Sequence, residues 1–415
     1  MTESVAVIGA GVSGLTAAYL LTQRYDVTLF EAEPRLGGHA HTHDITDPAG
    51  RPLAIDTGFI VHNDRTYPLL RRLFAELGVQ ARPTEMSMSI SDPASGLEFA
   101  GGRGAAGLFA QRRRLVDARF LSLLTEVRRF HQRAADYIAR TGDDDLTTLG
   151  DFLTAEGFSQ RFVRLYAVPV VSCVWSCGGR SALEYPARYL FRFLDHHGML
   201  SIGGSPQWMT VTGGSRQYVD AVAAKLGPVR SGTPVRSVQR HPDGVSLAVA
   251  NGDIVEFDRV VLAAHADQAL DLLTDATPTE KTVLGAFEYS QNATVLHTDD
   301  SLLPATKGAR ASWNYVIRPG APLTTYWMNR LQGLDTDETY LVTLNGAETV
   351  DPAKVLARMN YAHPVYTPEA VAAQRRLPTL NRGRTAFAGA YHGWGFHEDG
   401  CRAGVAAAAA LGVAW

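Results

Sequence analysis

Near the start of the chain, Gly9, Gly11 and Gly14 stand in the run Gly9-Ala10-Gly11-Val12-Ser13-Gly14, and an acid, Glu31, follows about 20 residues past its centre. That spacing suits capture of a dinucleotide. Gly9 allows a tight turn, Gly11 lets the backbone approach a pyrophosphate, and Gly14 lets a helix lie close to a strand. The unpaired N–H groups of a helix starting at Val12 and Ser13 would meet the phosphates, and Glu31 can accept both hydroxyls of a ribose. A second cluster lies near the other end, where Tyr391, His392, Trp394, His397 and Glu398 are threaded between Gly389 and Gly400. Histidine titrates near neutral pH, so this cluster suits proton transfer more than mere binding.

These residues need particular elements to position them. Val5–Ile8 reads as a short buried strand, Leu15–Leu21 as an apolar helical face, and Asp26–Phe30 as a second strand ending on Glu31. Strand, turn, helix, strand and acid in that order make the glycines a dinucleotide site rather than an ordinary turn. A second glycine patch follows in Glu33-Pro34-Arg35-Leu36-Gly37-Gly38. Here the chain resembles the FAD-dependent amine oxidase and phytoene desaturase superfamily, whose members carry an acid, a basic residue and a glycine pair at this place. The resemblance returns at Asp56-Thr57-Gly58-Phe59 and covers essentially the whole chain. It is most specific at the termini, at that turn and at Ser312-Trp313-Asn314-Tyr315, and it is nearest to a bacterial branch often encoded beside cyclopropane fatty-acid synthases. It implies FAD, with Arg35, Gly37, Gly38, His39, Thr57 and Gly58 beside the flavin and a backbone contact from Val235 to the adenine. The FAD is expected to be non-covalent, since none of the three cysteines falls where an attachment can be argued. It also implies that Gly389 and Ala390, and the final helix starting near Asp399 and Gly400, face the flavin.

The expected fold class is α/β: a Rossmann-type FAD-binding domain of three ββα layers, interleaved with a mixed α+β substrate domain. Residues 1–85, 205–265 and 380–415 are assigned to the first, and 86–204 and 266–379 to the second. Within this plan, His39-Ala40-His41-Thr42-His43-Asp44-Ile45 alternates as a strand with three imidazoles on one face. No carboxylate or cysteine stands at ligand spacing to them, so no metal is expected. Tyr67–Leu77 reads as a helix closed by Gly78, and Met86–Ile90 as a strand. Asp243-Gly244 and Asn251-Gly252 mark the turns of a three-stranded meander. Helices are expected at Ala266–Leu273 and Ala353–Met359 around strands such as Tyr289–His297 and Thr324–Met328.

A helix predicted over Gln111–Arg140 sets many arginines opposite Leu115, Phe120, Leu123, Leu124, Val127 and Phe130. It is either the solvated face of a helical subdomain or a peripheral contact with an anionic membrane or an acyl carrier. The apolar run Tyr166–Cys177 is either a core helix or the lining of a substrate tunnel. Tyr166, Trp175, Trp313, Tyr315 and Tyr326 are candidate walls of a substrate pocket.

The 415 residues, 46% hydrophobic and 20% charged, suit two interleaved domains. A net charge of −3 gives no pull toward nucleic acid. Three cysteines at no zinc spacing point to a reduced compartment, and with no leader or transmembrane anchor in view the expected location is the cytoplasm. No pattern sets the oligomeric state.

Amine oxidases of the superfamily often place an acid soon after the glycine matching Gly389 and use a lysine near the flavin. Here Ala390-Tyr391-His392 follows, and only Lys307 lies in a plausible region. The expectation is therefore an FAD-dependent oxidoreductase acting on an apolar substrate, an unsaturated or modified acyl chain or related lipid, by desaturation, saturation or isomerisation. Oxidation of an amine or amino acid is the alternative, and a non-catalytic flavin-binding partner of a lipid methyltransferase is the alternative of another class. His392, with Tyr391 and Trp394, is the catalytic candidate; it serves either as the proton partner or as a hydrogen-bonding shaper of its turn.

Overall fold

The computed structural model describes residues 2–200, 205–318 and 323–415, so the boundary expected between 204 and 205 adjoins residues outside that description. Five parallel strands form one sheet in the order Val229–Arg230, Asp26–Phe30, Ser4–Ile8, Arg259–Leu262, Thr385–Phe387. Layers cover both faces, which explains why these strands are apolar runs rather than alternating ones. Helices Val12–Leu21, Arg216–Ala223 and His397–Ala410 share one core with the sheet. The antiparallel meander Val235–Arg240, Val245–Val249, Ile254–Phe257 shares a core with the other face. This is the expected three-layer ββα arrangement, and the Asp-Gly and Asn-Gly turns close the meander as read. Helices Ala266–Leu272, Pro278–Leu284 and Pro368–Gln374 also pack on the meander side, although they were assigned with the substrate domain.

A seven-stranded mixed sheet, ordered Val355–Val365, Glu288–His297, Leu341–Leu344, Leu323–Trp327, Trp313–Val316, Met88–Asp92, Leu97–Gly101, makes the second body. The helix expected at Ala353–Met359 is instead the start of its longest strand. Val355, Ala357, Met359 and Tyr361 alternate with more exposed residues, a period of two that pairs with Glu288–His297. Against this sheet lies a helical cluster around Phe130, Phe152, Phe162 and Phe191.

The predicted Gln111–Arg140 helix is broken in two. Asp117 accepts from the N–H groups of Arg119 (3.0 Å) and Phe120 (3.2 Å), capping a helix over Ala118–Arg140 that follows a short turn, Arg112–Val116. Farther on, Val163–Ala167 adopts a wide π turn just before Pro169, which has no N–H to continue the ladder. No helix among the described residues is long and apolar enough to cross a membrane.

Asp56, fully buried, ties the two bodies together. Its carboxylate accepts from Thr42 Oγ1 (2.6 Å), the Ser215 N–H (2.9 Å) and hydroxyl (2.7 Å), and Gln332 Nε2 (3.0 Å). Burial pushes its pKa up to about 6 against the pull of those donors. Asp56→Ala should lose about 3 kcal/mol or more in denaturant unfolding, because several buried donors lose their acceptor together. Asp56→Asn, which keeps one acceptor oxygen, should lose less; equal losses would mean the hydrogen bonds are not what stabilises the junction.

Candidate active site

The first glycine turn is built as its spacing predicts. Gly9 has φ +101° and donates its N–H to the Phe30 carbonyl at 2.8 Å, binding the turn to the second strand. A Cβ on Gly14 would strike the Gly9 carbonyl, so helix and turn touch. A Cβ on Gly11 would meet nothing within 4 Å, and Gly11 sits in ordinary extended backbone at φ −70°. Glu31 is held from both oxygens, by the Ala10 N–H (2.7 Å) and the Glu33 N–H (2.9 Å), leaving further lone pairs for a ribose. The Thr233 N–H binds the Glu31 carbonyl at 2.9 Å, which draws the chain leading to Val235 alongside.

The second glycine patch closes on the first. Gly38, at φ +55°, lies so near that its Cβ would stand 3.1 Å from Gly11 Cα. Arg35 donates to the Gly38 carbonyl at 2.7 Å and pairs with Glu33 at 3.0 Å. From the far end of the chain, Gly400 packs against Val12 and Ser13; a Cβ there would stand 2.6 Å from Val12 Cγ1 and 2.9 Å from Ser13 Oγ. Two helix starts, at Val12 and His397, therefore lie side by side. Asp399 caps the second by accepting from the Phe396 N–H (3.0 Å), and also holds Arg402 (3.1 Å). Two positive dipole ends, an open floor at Gly11 and a ribose-binding acid fit a dinucleotide pyrophosphate.

The three imidazoles expected on one strand face divide. The strand begins only at Thr42, and His41 and His43 pair with ring centroids 4.2 Å apart. His39 turns elsewhere, its ring 5.1 Å from Tyr361, 5.3 Å from His363 and 6.4 Å from His265. The cluster adjoins the Thr57-Gly58 turn: Thr57 Oγ1 is 2.7 Å from the Tyr361 hydroxyl, and a Cβ on Gly58 would strike the His39 carbonyl. Burial holds His39 well below its ordinary pKa and His363 down at about 4. His265, stacked on Tyr289 at 4.3 Å, is lowered for the same reason. His265 and His363 were not among the sequence candidates; they come from distant segments, and no local period links them to His39.

At the other end of the site, His392 Nε2 is buried without a hydrogen-bond partner, and burial lowers its pKa to about 4. Its neighbour Tyr391 is a core residue, 2% exposed, its ring 5.2 Å from Phe287 on the meander side of the sheet. Trp394 turns toward the helical cluster, donating to the Tyr189 carbonyl at 3.3 Å. Glu398 accepts from the Leu69 (3.1 Å) and Leu70 (2.9 Å) N–H groups and so caps the helix Pro68–Leu77; His397 stacks on Phe59 at 3.8 Å.

The substrate-wall candidates form separate groups. Trp313 and Tyr326 have ring centroids 5.5 Å apart on neighbouring strands, and Tyr315 lies on the same strand as Trp313. Cys173 of the helix Val168–Trp175 approaches Thr324 at 3.9 Å, which brings that helix against this part of the sheet. Trp175 is set into the helical core and donates to the Trp394 carbonyl at 2.9 Å, and Tyr166 pairs with His131 at 2.7 Å.

The chain belongs to the flavin containing amine oxidoreductase family, whose model matches residues 12–297, more than half of its length. The cofactor this cradle serves is FAD. Among curated relatives, the putative flavin-containing monoamine oxidase AofH of Mycobacterium tuberculosis is 28% identical over 265 residues, 60% of this chain and 54% of that protein. The chain thus spans about half the length of the curated relatives it matches most strongly. In fold it is similar to cyclohexylamine oxidase from Brevibacterium oxydans IH-35A (TM-score 0.71, 18% identity, 99% of both chains). It is similar too to the CLA-producing fatty acid isomerase from P. acnes (TM-score 0.69, 17% identity, 97% of both chains).

Gly11→Ala should fold as the parent does yet bind FAD about tenfold or more weakly, since its methyl fills only the cradle. Gly14→Ala should instead lose thermal stability even without FAD. The comparison is by flavin titration and melting of the apoproteins, and equal behaviour of the two variants would refute this assignment.

The buried imidazoles set a pH limit. His62, His197 and His363 are lowered to about 4 and His397 to about 3, chiefly by burial. The unfolded chain binds their protons first as pH falls below about 6.5, so their contribution to stability is lost progressively from there toward pH 4. Asp56 and Asp399, both raised to about 6, favour the folded state in the acid direction but are fewer. The melting temperature should fall steadily below pH 6.5; a rise toward pH 5 would show that the carboxylates dominate.

Proposed function

We propose that the protein is an FAD-dependent oxidoreductase that exchanges a hydride with an apolar substrate, an unsaturated or modified fatty-acyl chain or related lipid, in desaturation, saturation or double-bond isomerisation. The observation that carries this reading is the state of the buried carboxylates. Among the described residues, the buried Asp56, Glu398 and Asp399 around the cradle are each engaged by protein donors, and so are Asp47, Asp92, Glu280 and Asp299 elsewhere. None is left over to hold an ammonium group. Lys307 is exposed on a short surface turn, far in character from a buried water-ordering lysine. Cys173, Tyr315 and Tyr326 supply a neutral, largely apolar surface, the thiol pushed up to about 12 by burial.

FAD supplies the hydride acceptor or donor. The chain's own part is to hold the cofactor, keep water out and move the accompanying proton. His392 suits the last role: its unpartnered Nε2 is neutral at pH 7 and can accept a proton at that atom. His39 is the rival, since its Nε2 is likewise buried without a partner beside the Thr57-Gly58 turn. The flavin is held without a covalent link, because Cys173, Cys177 and Cys401 are buried with their thiols near 12. Acid precipitation should accordingly release the yellow colour, and colour left in the pellet would contradict it.

Amine oxidation is the second reading, favoured by the likeness to a putative monoamine oxidase. Anaerobic mixing with both the oxidised and the chemically reduced protein separates the two: acyl substrates should bleach the oxidised flavin (desaturation), reoxidise the reduced flavin (saturation) or be isomerised, while simple amines should change neither form. Bleaching by amines alone would replace the lipid reading, and no change with any substrate would leave a binding protein. His392→Gln should keep FAD content while lowering turnover by roughly a hundredfold. If His39→Gln produces that loss instead, the proton role belongs to the cluster of His39, His265 and His363.

A further inference from the structure

Five large apolar side chains stand in solvent among the described residues: Leu115 (54% exposed), Val116 (87%), Leu121 (40%), Ile254 and Leu356. The last two are isolated on strands. The first three fall together, on the turn Arg112–Val116 and the first turn of the helix Ala118–Arg140. The Asp117 cap puts Val116 just before the helix and Leu121 one turn into it, the two positions that often close over each other as a hydrophobic staple. A closed staple would cover Val116, and here it is almost bare. Phe120 fixes the rotation of this end: it is fully buried, with ring centroids 5.3 Å from Phe99 and 5.9 Å from Phe109. Its neighbours Arg119 and Leu121 are thereby turned outward.

Around these side chains, arginines outnumber acids. Arg112 and Arg119 are exposed, and no carboxylate of the described residues pairs with either. Arg113 meets only the Gly96 carbonyl, at 3.2 Å. Of the acids next in sequence, Asp117 is paired with Arg114 at 2.6 Å, and Glu126, two turns into the helix, accepts from the Ser159 hydroxyl at 2.7 Å. At the far end of the helix, Arg133 and Arg140 both pair with Glu156.

We propose that this turn docks the protein on an anionic lipid surface, with Leu115, Val116 and Leu121 entering the boundary between headgroups and acyl chains and Arg112, Arg113 and Arg119 meeting lipid phosphates. Small aliphatic groups ringed by uncompensated arginines match an interfacial anchor. A protein partner would need a much broader face and favours aromatic anchors, which this turn lacks. The inference concerns where the protein sits and does not depend on the substrate reading above.

The test is co-sedimentation of the FAD-loaded protein with vesicles of phosphatidylcholine alone and of phosphatidylcholine mixed with phosphatidylglycerol, at low and high salt. Binding should need the anionic lipid and weaken with salt. The doubles Val116→Ser/Leu121→Ser and Arg112→Gln/Arg119→Gln should each reduce partitioning about tenfold with flavin content and melting temperature unchanged. Three outcomes would overturn the proposal: wild-type protein remaining in the supernatant with anionic vesicles, undiminished binding by both variants, or preferential capture by an acidic acyl carrier protein.

Discussion

The cofactor site depends on one close crossing. The helix Val12–Leu21 near the start of the sequence and the helix His397–Ala410 near its end approach until Gly400 rests on Val12 and Ser13. Gly404 continues the contact one turn on, where a Cβ would strike the Ser13 carbonyl. No larger residue fits there. The crossing sets two helix N-termini together, and their positive dipole ends repel. Asp399 and Glu398 offset part of that repulsion, the one capping its own helix and the other the helix Pro68–Leu77. A bound pyrophosphate would offset more, so the same geometry favours anions.

The sequence was most informative where function needs contiguous residues. The second glycine pair draws its chemistry from the family resemblance, whereas the glycine turn and Glu31 lie within one stretch, so spacing carries theirs. The Asp-Gly and Asn-Gly turns were legible for the same reason. The Val355–Val365 strand was misread because its apolar period of two is diluted by alanine and asparagine, and a strong helix former precedes it. Asp117 was lost inside a basic, apparently helical run, because a cap within a periodic segment looks like one more polar residue. Asp56 was read as part of a turn beside the flavin. That it joins the hairpin Thr42–Thr46/Pro52–Asp56 to Ser215 and Gln332 depends on contacts between distant segments.

The histidines show most plainly what spacing cannot show. Their alternation promised one face, yet Gly37 and Gly38 redirect the chain so that His39 leaves its neighbours and faces residues from two other segments. The outcome is a neutral, desolvated group of imidazoles next to the glycine cradle. Burial keeps them uncharged at physiological pH, so they add no charge to the neighbourhood of the Thr57-Gly58 turn.

Charge is thus segregated in this molecule. Around the cradle, carboxylates are capped and imidazoles neutral, so the strongest uncompensated field is that of the two helix ends. On the surface, Arg133 and Arg140 share Glu156 and Arg114 holds Asp117, while Arg112, Arg113 and Arg119 have no carboxylate partner among the described residues. Leu115, Val116 and Leu121, bare in solvent, carry a hydration cost with little return inside the fold. The Arg112–Leu121 turn thus sets bare aliphatic side chains beside arginines without a carboxylate partner, a combination that an outside surface can complete.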